Sequence, residues 1–153
     1  PALYAIGVHL DPTVTTAVLI DLAGSAVLER RIMTPLGHDP EAAIDALVAM
    51  VEALLVDSGV DRARVAGMGI AAPGPIDPIA GALVQPPHLP GWHSVPLRDA
   101  LSARLGLVTV LEKDVAATAI GELWAGTPAA EAGSFVFLYL GTGIGAGLVI
   151  SRE

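Results

Sequence analysis

With 153 residues, the chain is long enough for one ordinary domain with its own apolar core. It contains no cysteine, which excludes disulfides and cysteine-ligated metal sites within these residues and suits a reducing cytoplasm. The formal net charge of −8 argues against a nucleic-acid surface, because proteins bind phosphate backbones mainly through lysine and arginine.

A long uncharged run, Ala132–Ser151, is a candidate membrane segment. Its glycines, its β-branched and aromatic residues and its lack of flanking basic residues argue against a membrane span. The first residues, Pro1–Leu10, lack the basic start and the cleavage site of a signal peptide. We therefore expect a cytoplasmic protein, and the abundance of alanine, glycine and valine indicates a bacterial genome rich in G and C.

Three strands and a helix are predicted for the first third of the chain. Leu3–Leu10 and Thr15–Asp21 are apolar and β-rich, and Ala26–Met33 alternates as a strand with one wet face does. A helix follows, in which Asp39 is the predicted N-cap and Gly59 ends the apolar pattern.

The middle of the chain alternates between strands and helices. Val65–Ala71 is short, apolar and bounded by glycine and proline, which is typical of a buried parallel strand. The pattern then predicts a helix over Val95–Leu105, a strand over Leu107–Leu111 and a helix over Asp114–Trp124. The order βββαβαβα, followed by two strands, predicts an α/β domain built on a mixed sheet.

Phe135–Ile150 combines two apolar runs with a glycine-rich loop between them. Glycine turns backbone N–H groups outward and lets an anion approach closely, so the pattern fits a phosphate loop between two strands. A tight β-hairpin without a ligand fits it equally well. A dinucleotide-binding fold is disfavoured, because the loop opens into another apolar strand and not into a helix.

Three loops that follow apolar strands are candidates for a binding site: His9–Thr13, Ala71–Asp77 and Gly141–Gly147. Ligands of open α/β sheets bind beyond the carboxyl ends of the strands. Asp114 follows another predicted strand and begins a helix. We therefore expect these loops and Asp114 to line one cleft.

Four segments occur in order along the chain. They are GMGIAAPGPID at Gly67–Asp77, PHLPGW at Pro87–Trp92, EKDVAATAIGE at Glu112–Glu122 and GTGIGAG at Gly141–Gly147. Together they resemble the ROK family of repressors, open reading frames and sugar kinases, which has the actin-like ATPase (ribonuclease H-like) fold. The resemblance implies two lobes around a sugar-binding cleft. It implies that residues 1–131 form the amino-terminal lobe and that residues 132–153 begin a second lobe whose remainder is absent from this chain.

The resemblance implies roles for individual residues on the nucleotide side. In the kinases of the family, ATP lies against two glycine loops. The residues that correspond to these loops are Thr13 in the first and Gly141, Thr142, Gly143 and Gly145 in the second.

On the sugar side, Asp114 stands where the kinases have the general base that takes a proton from the sugar hydroxyl. At the start of a helix it is also a preferred N-cap residue. The other sugar-side positions are Gly74, Asp77, His88 and Lys113. Gly74 and Asp77 fit an ordinary Pro-Gly turn equally well.

The first loop departs from the kinases. They have an aspartate at the end of the first strand and then Gly-Gly-Thr, where this chain has His9, Asp11, Pro12 and Thr13. The two replaced glycines leave a carboxylate that repels phosphate and a proline without an N–H. Histidine is also a poor ligand for magnesium. We therefore expect no phosphoryl transfer.

The sugar side departs as well. Three asparagines of the kinases are replaced here, by His88, Lys113 and Ala116. Amide side chains both donate and accept hydrogen bonds, whereas lysine only donates. The ligand is therefore expected to be acidic or phosphorylated, or to have been lost.

Three functions stay open. The first is the sugar-sensing part of a ROK-type transcriptional regulator, which binds a small sugar without turnover and forms homo-oligomers. The second is a sugar kinase that uses ATP and magnesium to phosphorylate a hexose. The third is a dimerisation module with an inactive cleft, which Lys113 and Ala116 support.

The family's regulators carry a helix-turn-helix ahead of the first strand, and its zinc cluster follows the second glycine loop. Neither segment lies within these residues. We therefore expect DNA contact only through another segment, and no metal or cofactor here except ATP and magnesium in a kinase.

Three loop side chains and the last strands complete the candidates. His88 and His93 fit a solvated loop better than a metal site. Trp92 fits either a sugar-stacking platform or a core anchor for its loop. The apolar residues that we expect to be buried against a second copy are Phe135, Phe137, Leu148 and Ile150.

Overall fold

The computed structural model describes residues 3–34, 39–87, 89–125, 128–141 and 143–150. The chain divides into two compact units, Pro1–Glu112 and Lys113–Glu153. The lobe boundary predicted after residue 131 placed the helix that begins at Asp114 with the first lobe, whereas this helix packs against the carboxyl-terminal strands. The division of the chain into lobes stays a prediction.

The strands of the first unit form a sheet and a small ribbon. In chain order they are β1 (Tyr4–His9), β2 (Val14–Asp21), β3 (Ala26–Met33), β4 (Val65–Ala72), β5 (Ile76–Asp77), β6 (Ala82–Leu83) and β7 (Thr109–Lys113). β5 and β6 pair with each other, and the other five form one sheet in the order β3-β2-β1-β4-β7. β1 is antiparallel to β2 and parallel to β4, which confirms the predicted mixed sheet.

Two helices, α1 (Pro40–Ser58) and α2 (Leu97–Leu105), pack with the sheet around one apolar core. The ends of α1 are as predicted: Asp39 accepts a hydrogen bond from the backbone N–H of Glu41, and Gly59 ends the helix at φ 65°. The core residues that are almost fully buried include Ile6, Leu19, Leu47, Leu54, Ile70 and Leu101.

Two predicted boundaries were wrong, and one small element was missed. α2 begins at Leu97 and not at Val95, because Val95 forms a β-bridge with Leu83. β7 begins and ends two residues later than predicted, since the chain leaves α2 through Gly106 and meets the sheet at Val108. The β5–β6 ribbon was missed, because strands of two residues leave no periodicity to detect.

The second unit consists of two helices and a hairpin. Its elements are α3 (Asp114–Ala125), the short α4 (Pro128–Glu131), β8 (Phe135–Leu140) and β9 (Ile144–Val149). β8 and β9 pair antiparallel, with Leu140 opposite Ile144, and α3 packs on both strands. Among the described residues, no helix combines the length and the apolar character needed to cross a membrane.

The hairpin has one face against α3 and one exposed face. Phe137 pairs with Gly147, whose α-carbon lies against Val115 of α3, so the phenylalanine is on the packed face. Phe135 and Phe137 are half-buried within the chain, and their further burial against a second copy stays a prediction. The exposed apolar residues are Val136, Leu138, Leu140, Ile144, Leu148 and Ile150.

Candidate functional site

Two of the candidate loops start side by side at one edge of the sheet. β1 and β4 are parallel neighbours, with His9 opposite Ala71 at their carboxyl ends. The backbone N–H of Leu10 donates to the carbonyl of Ala71 at 2.8 Å. The first loop (His9–Thr13) and the sugar-side loop (Ala71–Asp77) therefore leave the sheet next to each other, at the edge where ligands of α/β sheets bind.

The first loop is closed by its own carboxylate. Oδ1 of Asp11 accepts hydrogen bonds from the backbone N–H of Thr13 at 2.9 Å and of Val14 at 3.5 Å. Pro12, between them, has no N–H to offer. Residue 12 therefore has no backbone N–H, and the N–H groups of Thr13 and Val14 are directed to the Asp11 carboxylate.

Thr34, which sequence reasoning missed, holds this loop through hydrogen bonds. Its hydroxyl donates to the carbonyl of Asp11 at 2.5 Å and lies 2.9 Å from the hydroxyl of Thr15. Its backbone N–H donates to the carbonyl of Thr13. The hydroxyls of Thr15 and Thr34 belong to buried residues, so the loop rests on a satisfied polar pair. The sequence carried no signal for this contact, because it depends on the pairing of β2 with β3.

The sugar-side loop runs from Gly74 into the β5–β6 ribbon. The carboxylate of Asp77 accepts the backbone N–H groups of Ile79 at 2.9 Å and Ala80 at 3.0 Å, so it organises the turn between the two strands. The N–H of Val84 donates to the carbonyl of Pro75 at 2.9 Å. The turn role that the sequence allowed for Asp77 is therefore present, and its contact with a sugar stays a prediction.

The loop around Trp92 is anchored in the core. The Trp92 side chain is only 1% exposed, which confirms the core-anchor interpretation and leaves no ring face for a sugar. Its Nε1 has no hydrogen-bond partner within the described structure. Nδ1 of His93 lies 2.9 Å from Nε2 of Gln85. His88 lies outside the described residues.

Lys113, the last residue of β7, and Asp114, the first residue of α3, are the first two residues of the second unit. Asp114 is the first residue of the helix, and its carboxylate accepts the N–H of Val115 at 2.7 Å. Its carbonyl accepts the hydroxyl of Thr118 at 2.9 Å. Asp114 is therefore inside the first turn, whereas an N-cap residue precedes the helix and accepts from an N–H two or three residues further on. Its role toward a sugar hydroxyl stays a prediction.

The glycine-rich segment is a hairpin whose glycines serve two purposes. At the turn, the N–H of Gly141 donates to the carbonyl of Gly143 at 2.9 Å, while Thr142 lies outside the described residues. Gly145 and Gly147 are in β9, where an added Cβ would lie 2.7 Å from Cγ1 and 2.4 Å from the carbonyl oxygen of Val115, respectively. Close packing against α3 therefore requires these two glycines, and phosphate binding stays a prediction for the turn.

The first loop does not offer free backbone donors to a nucleotide phosphate. Separately, the described residues contain no group of three or more histidine, aspartate or glutamate side chains that is able to hold a metal ion. At the loop itself, the Asp11 carboxylate already accepts the N–H groups that would otherwise face an anion. A phosphate would meet that negative charge instead of backbone donors.

The mixed sheet, its order and the loops at its edge define an α/β protein of the actin-like ATPase fold, as predicted. The chain belongs to the ROK family, whose model matches residues 5–153.

Relatives of both kinds are similar to this chain. A glucokinase of Thermotoga maritima is 35% identical over 149 residues, which are 97% of this chain and 45% of the kinase. A xylose repressor of Caldicellulosiruptor bescii is 26% identical over 148 residues, which are 97% of this chain and 37% of the repressor.

Among solved structures, the ROK family glucokinase of Streptomyces griseus, in complex with glucose and AMPPNP, superposes with a TM-score of 0.83 at 30% identity. The superposition covers 98% of this chain and 45% of the kinase. The chain spans less than half the length of these relatives.

Proposed function

We propose that this chain is the sugar-sensing part of a ROK-type transcriptional regulator that binds a small sugar or sugar derivative without phosphorylating it. The protein would act in the cytoplasm as a homo-oligomer. Another segment would contact DNA, since these residues carry a net charge of −8.

The observation that carries the proposal is the closed first loop. Phosphoryl transfer depends almost entirely on positioning the phosphate and neutralising its charge. Here the Asp11 carboxylate accepts the N–H of Thr13 at 2.9 Å, and Pro12 supplies no N–H. This arrangement places negative charge where the kinases of the family hold phosphate, which favours sensing over catalysis.

A sugar kinase is the second candidate. The 35% identity to a glucokinase favours it, as do the position of Asp114 at the start of α3 and the turn at Gly141 and Gly143. The two candidates differ in whether the first loop binds the phosphate of a nucleotide.

Calorimetry and a coupled assay for ADP distinguish them in the protein that contains these residues. We expect heat of binding with D-glucose, D-xylose or their phosphorylated or acidic derivatives, and no sugar-dependent release of ADP. Turnover on the order of 1 per second or faster would establish the kinase instead. Absence of heat with the whole panel, in a folded protein, would favour the dimerisation module.

A further inference from the structure

Arg98, near the start of α2, holds the turn between β5 and β6 through its guanidinium group. Nη1 donates to the carbonyl of Pro78 at 3.2 Å, and Nη2 donates to the carbonyl of Ile79 at 3.3 Å. Nε donates to the carboxylate of Asp99 at 2.8 Å. All three nitrogens of the guanidinium group are therefore engaged, and the side chain is only 28% exposed.

The turn also packs directly on this side chain. Gly81 has φ 63°, and an added Cβ would lie 2.6 Å from both Cζ and Nε of Arg98. The backbone N–H of Arg98 donates to the carbonyl of Gly81 at 3.1 Å. Only glycine combines this positive φ with such a close approach without strain.

Asp77 binds the same turn through its backbone N–H groups. Its carboxylate accepts the N–H of Ile79, while Arg98 binds the carbonyl of Ile79. One peptide segment is thus held between an acceptor and a donor of opposite charge. If the turn were released from Arg98, the Asp77 carboxylate would lose the fixed N–H groups that orient it.

We propose that Arg98 is a positioning residue for the sugar-side loop. By fixing residues 78–81, it orients the carboxylate of Asp77 and the segment from Gly74 onward, and so raises the affinity for a ligand rich in hydroxyl groups. The part that concerns a sugar rests on the proposed function; the part that concerns the order of the turn does not.

The planar fork of arginine is what the geometry uses. Two neighbouring carbonyls accept from two nitrogens of one rigid group, while the third nitrogen is tied to Asp99. Lysine offers a single ammonium on a flexible chain and is unable to reproduce this arrangement.

The matched control is Arg104, which lies on the same helix and has a similar exposure of 33%. It pairs with Glu41 and Asp45 of α1 and makes no described contact with the turn. Arg98→Met and Arg104→Met therefore remove the same charge from the same helix, and only Arg98→Met should affect the sugar-side loop.

Amide hydrogen exchange, followed by NMR, is measured for Ile79 and Ala80 in both variants and in the unmodified protein. Affinity for D-glucose and D-xylose is measured by calorimetry on the same samples. We expect Arg98→Met to speed exchange at these two amides about tenfold relative to Arg104→Met. We also expect it to weaken sugar binding about fivefold, the effect of one lost hydrogen bond.

Unchanged exchange at Ile79 and Ala80 would overturn the proposal, and so would faster exchange with unchanged sugar affinity. If the unmodified protein binds neither sugar, the proposed function fails for these ligands, and exchange still decides whether Arg98 holds the turn. If Arg98→Met does not fold, Arg98→Lys keeps the charge and should still speed exchange relative to Arg104→Met.

Discussion

The carboxylate of Asp11 and the backbone N–H of Thr13 are 2.9 Å apart and form a hydrogen bond within the first loop. Both residues lie directly beyond β1, at the sheet edge where the parallel strand β4 also ends. An anion that approached this loop would compete with a covalently attached carboxylate for the same donor. The loop is therefore stabilised internally at the expense of phosphate binding.

Removal of this carboxylate should destabilise the fold. In Asp11→Ala, the N–H groups of Thr13 and Val14 lose their acceptor, and we expect the free energy of unfolding to fall by about 0.5–2 kcal/mol. Asp11→Asn is the control, because the amide oxygen still accepts and most of the stability should remain. Urea unfolding measures both variants. An alanine variant as stable as the unmodified chain would show that the loop does not depend on Asp11.

Asp114 is predicted to contact the sugar. If its carboxylate accepts a hydroxyl hydrogen bond, Asp114→Asn should weaken binding by about 1–3 kcal/mol, the range for bonds to a charged group. Asp39→Asn is the control, since Asp39 caps α1 in the first unit. Calorimetry gives the affinities and circular dichroism checks the fold. Equal affinities in both variants would reduce Asp114 to a residue that starts α3.

The glycines of the last hairpin should differ sharply in their tolerance of alanine. At Gly147, a Cβ would lie 2.4 Å from the carbonyl oxygen of Val115 and 3.1 Å from Cβ of Ala119, so β9 would have to move away from α3. We expect Gly147→Ala to lower the free energy of unfolding by about 1–3 kcal/mol. At Gly143 a Cβ meets no atom of the described residues within 4 Å, and Gly143→Ala should stay within about 0.5 kcal/mol.

Urea unfolding of the two glycine variants tests this pair directly. Because Gly143→Ala leaves the packing intact, the same variant can also be used to test whether the turn binds phosphate. If Gly147→Ala proved as stable as Gly143→Ala, the close contact between α3 and β9 would not exist in solution.

Much of the fold followed from local sequence patterns. The helix from Asp39 to Gly59 was predicted to within a residue, because both of its caps use residue types that favour those positions. The alternating residues of β3 and the apolar run of β4 predicted these strands for the same reason, because both patterns are local.

The contacts that shape the candidate site were beyond such reasoning. Thr34 reaches the carbonyl of Asp11 across 23 positions, and Arg98 reaches the carbonyl of Pro78 across 20. Neither contact leaves a periodic signal, since each depends on where separate elements meet. The glycines of β9 illustrate the opposite error: their spacing indicated a loop, whereas Gly145 and Gly147 allow a helix to approach a strand.

The exposed face of the β8–β9 hairpin should drive self-association of this chain. Six large apolar side chains lie exposed on this face or just beyond it, and Leu138 and Leu148 are 65% and 66% exposed. A patch of this kind on a free two-stranded sheet favours association through its apolar surface and its unpaired strand edges. The segment from Phe135 to Ile150 carries no charge that would oppose this locally, although the chain as a whole has a net charge of −8.

Leu138→Arg should therefore reduce association, because it places a charge in the middle of this face. Ile79→Arg is the matched control: Ile79 is 91% exposed and lies in the first unit, away from the hairpin in the chain. Light scattering across micromolar concentrations should show a rising mass for the unmodified chain and for Ile79→Arg, and a smaller rise for Leu138→Arg. A stable monomer for the unmodified chain would contradict the prediction. An equal loss of association in both variants would show that the effect is not specific to the hairpin face.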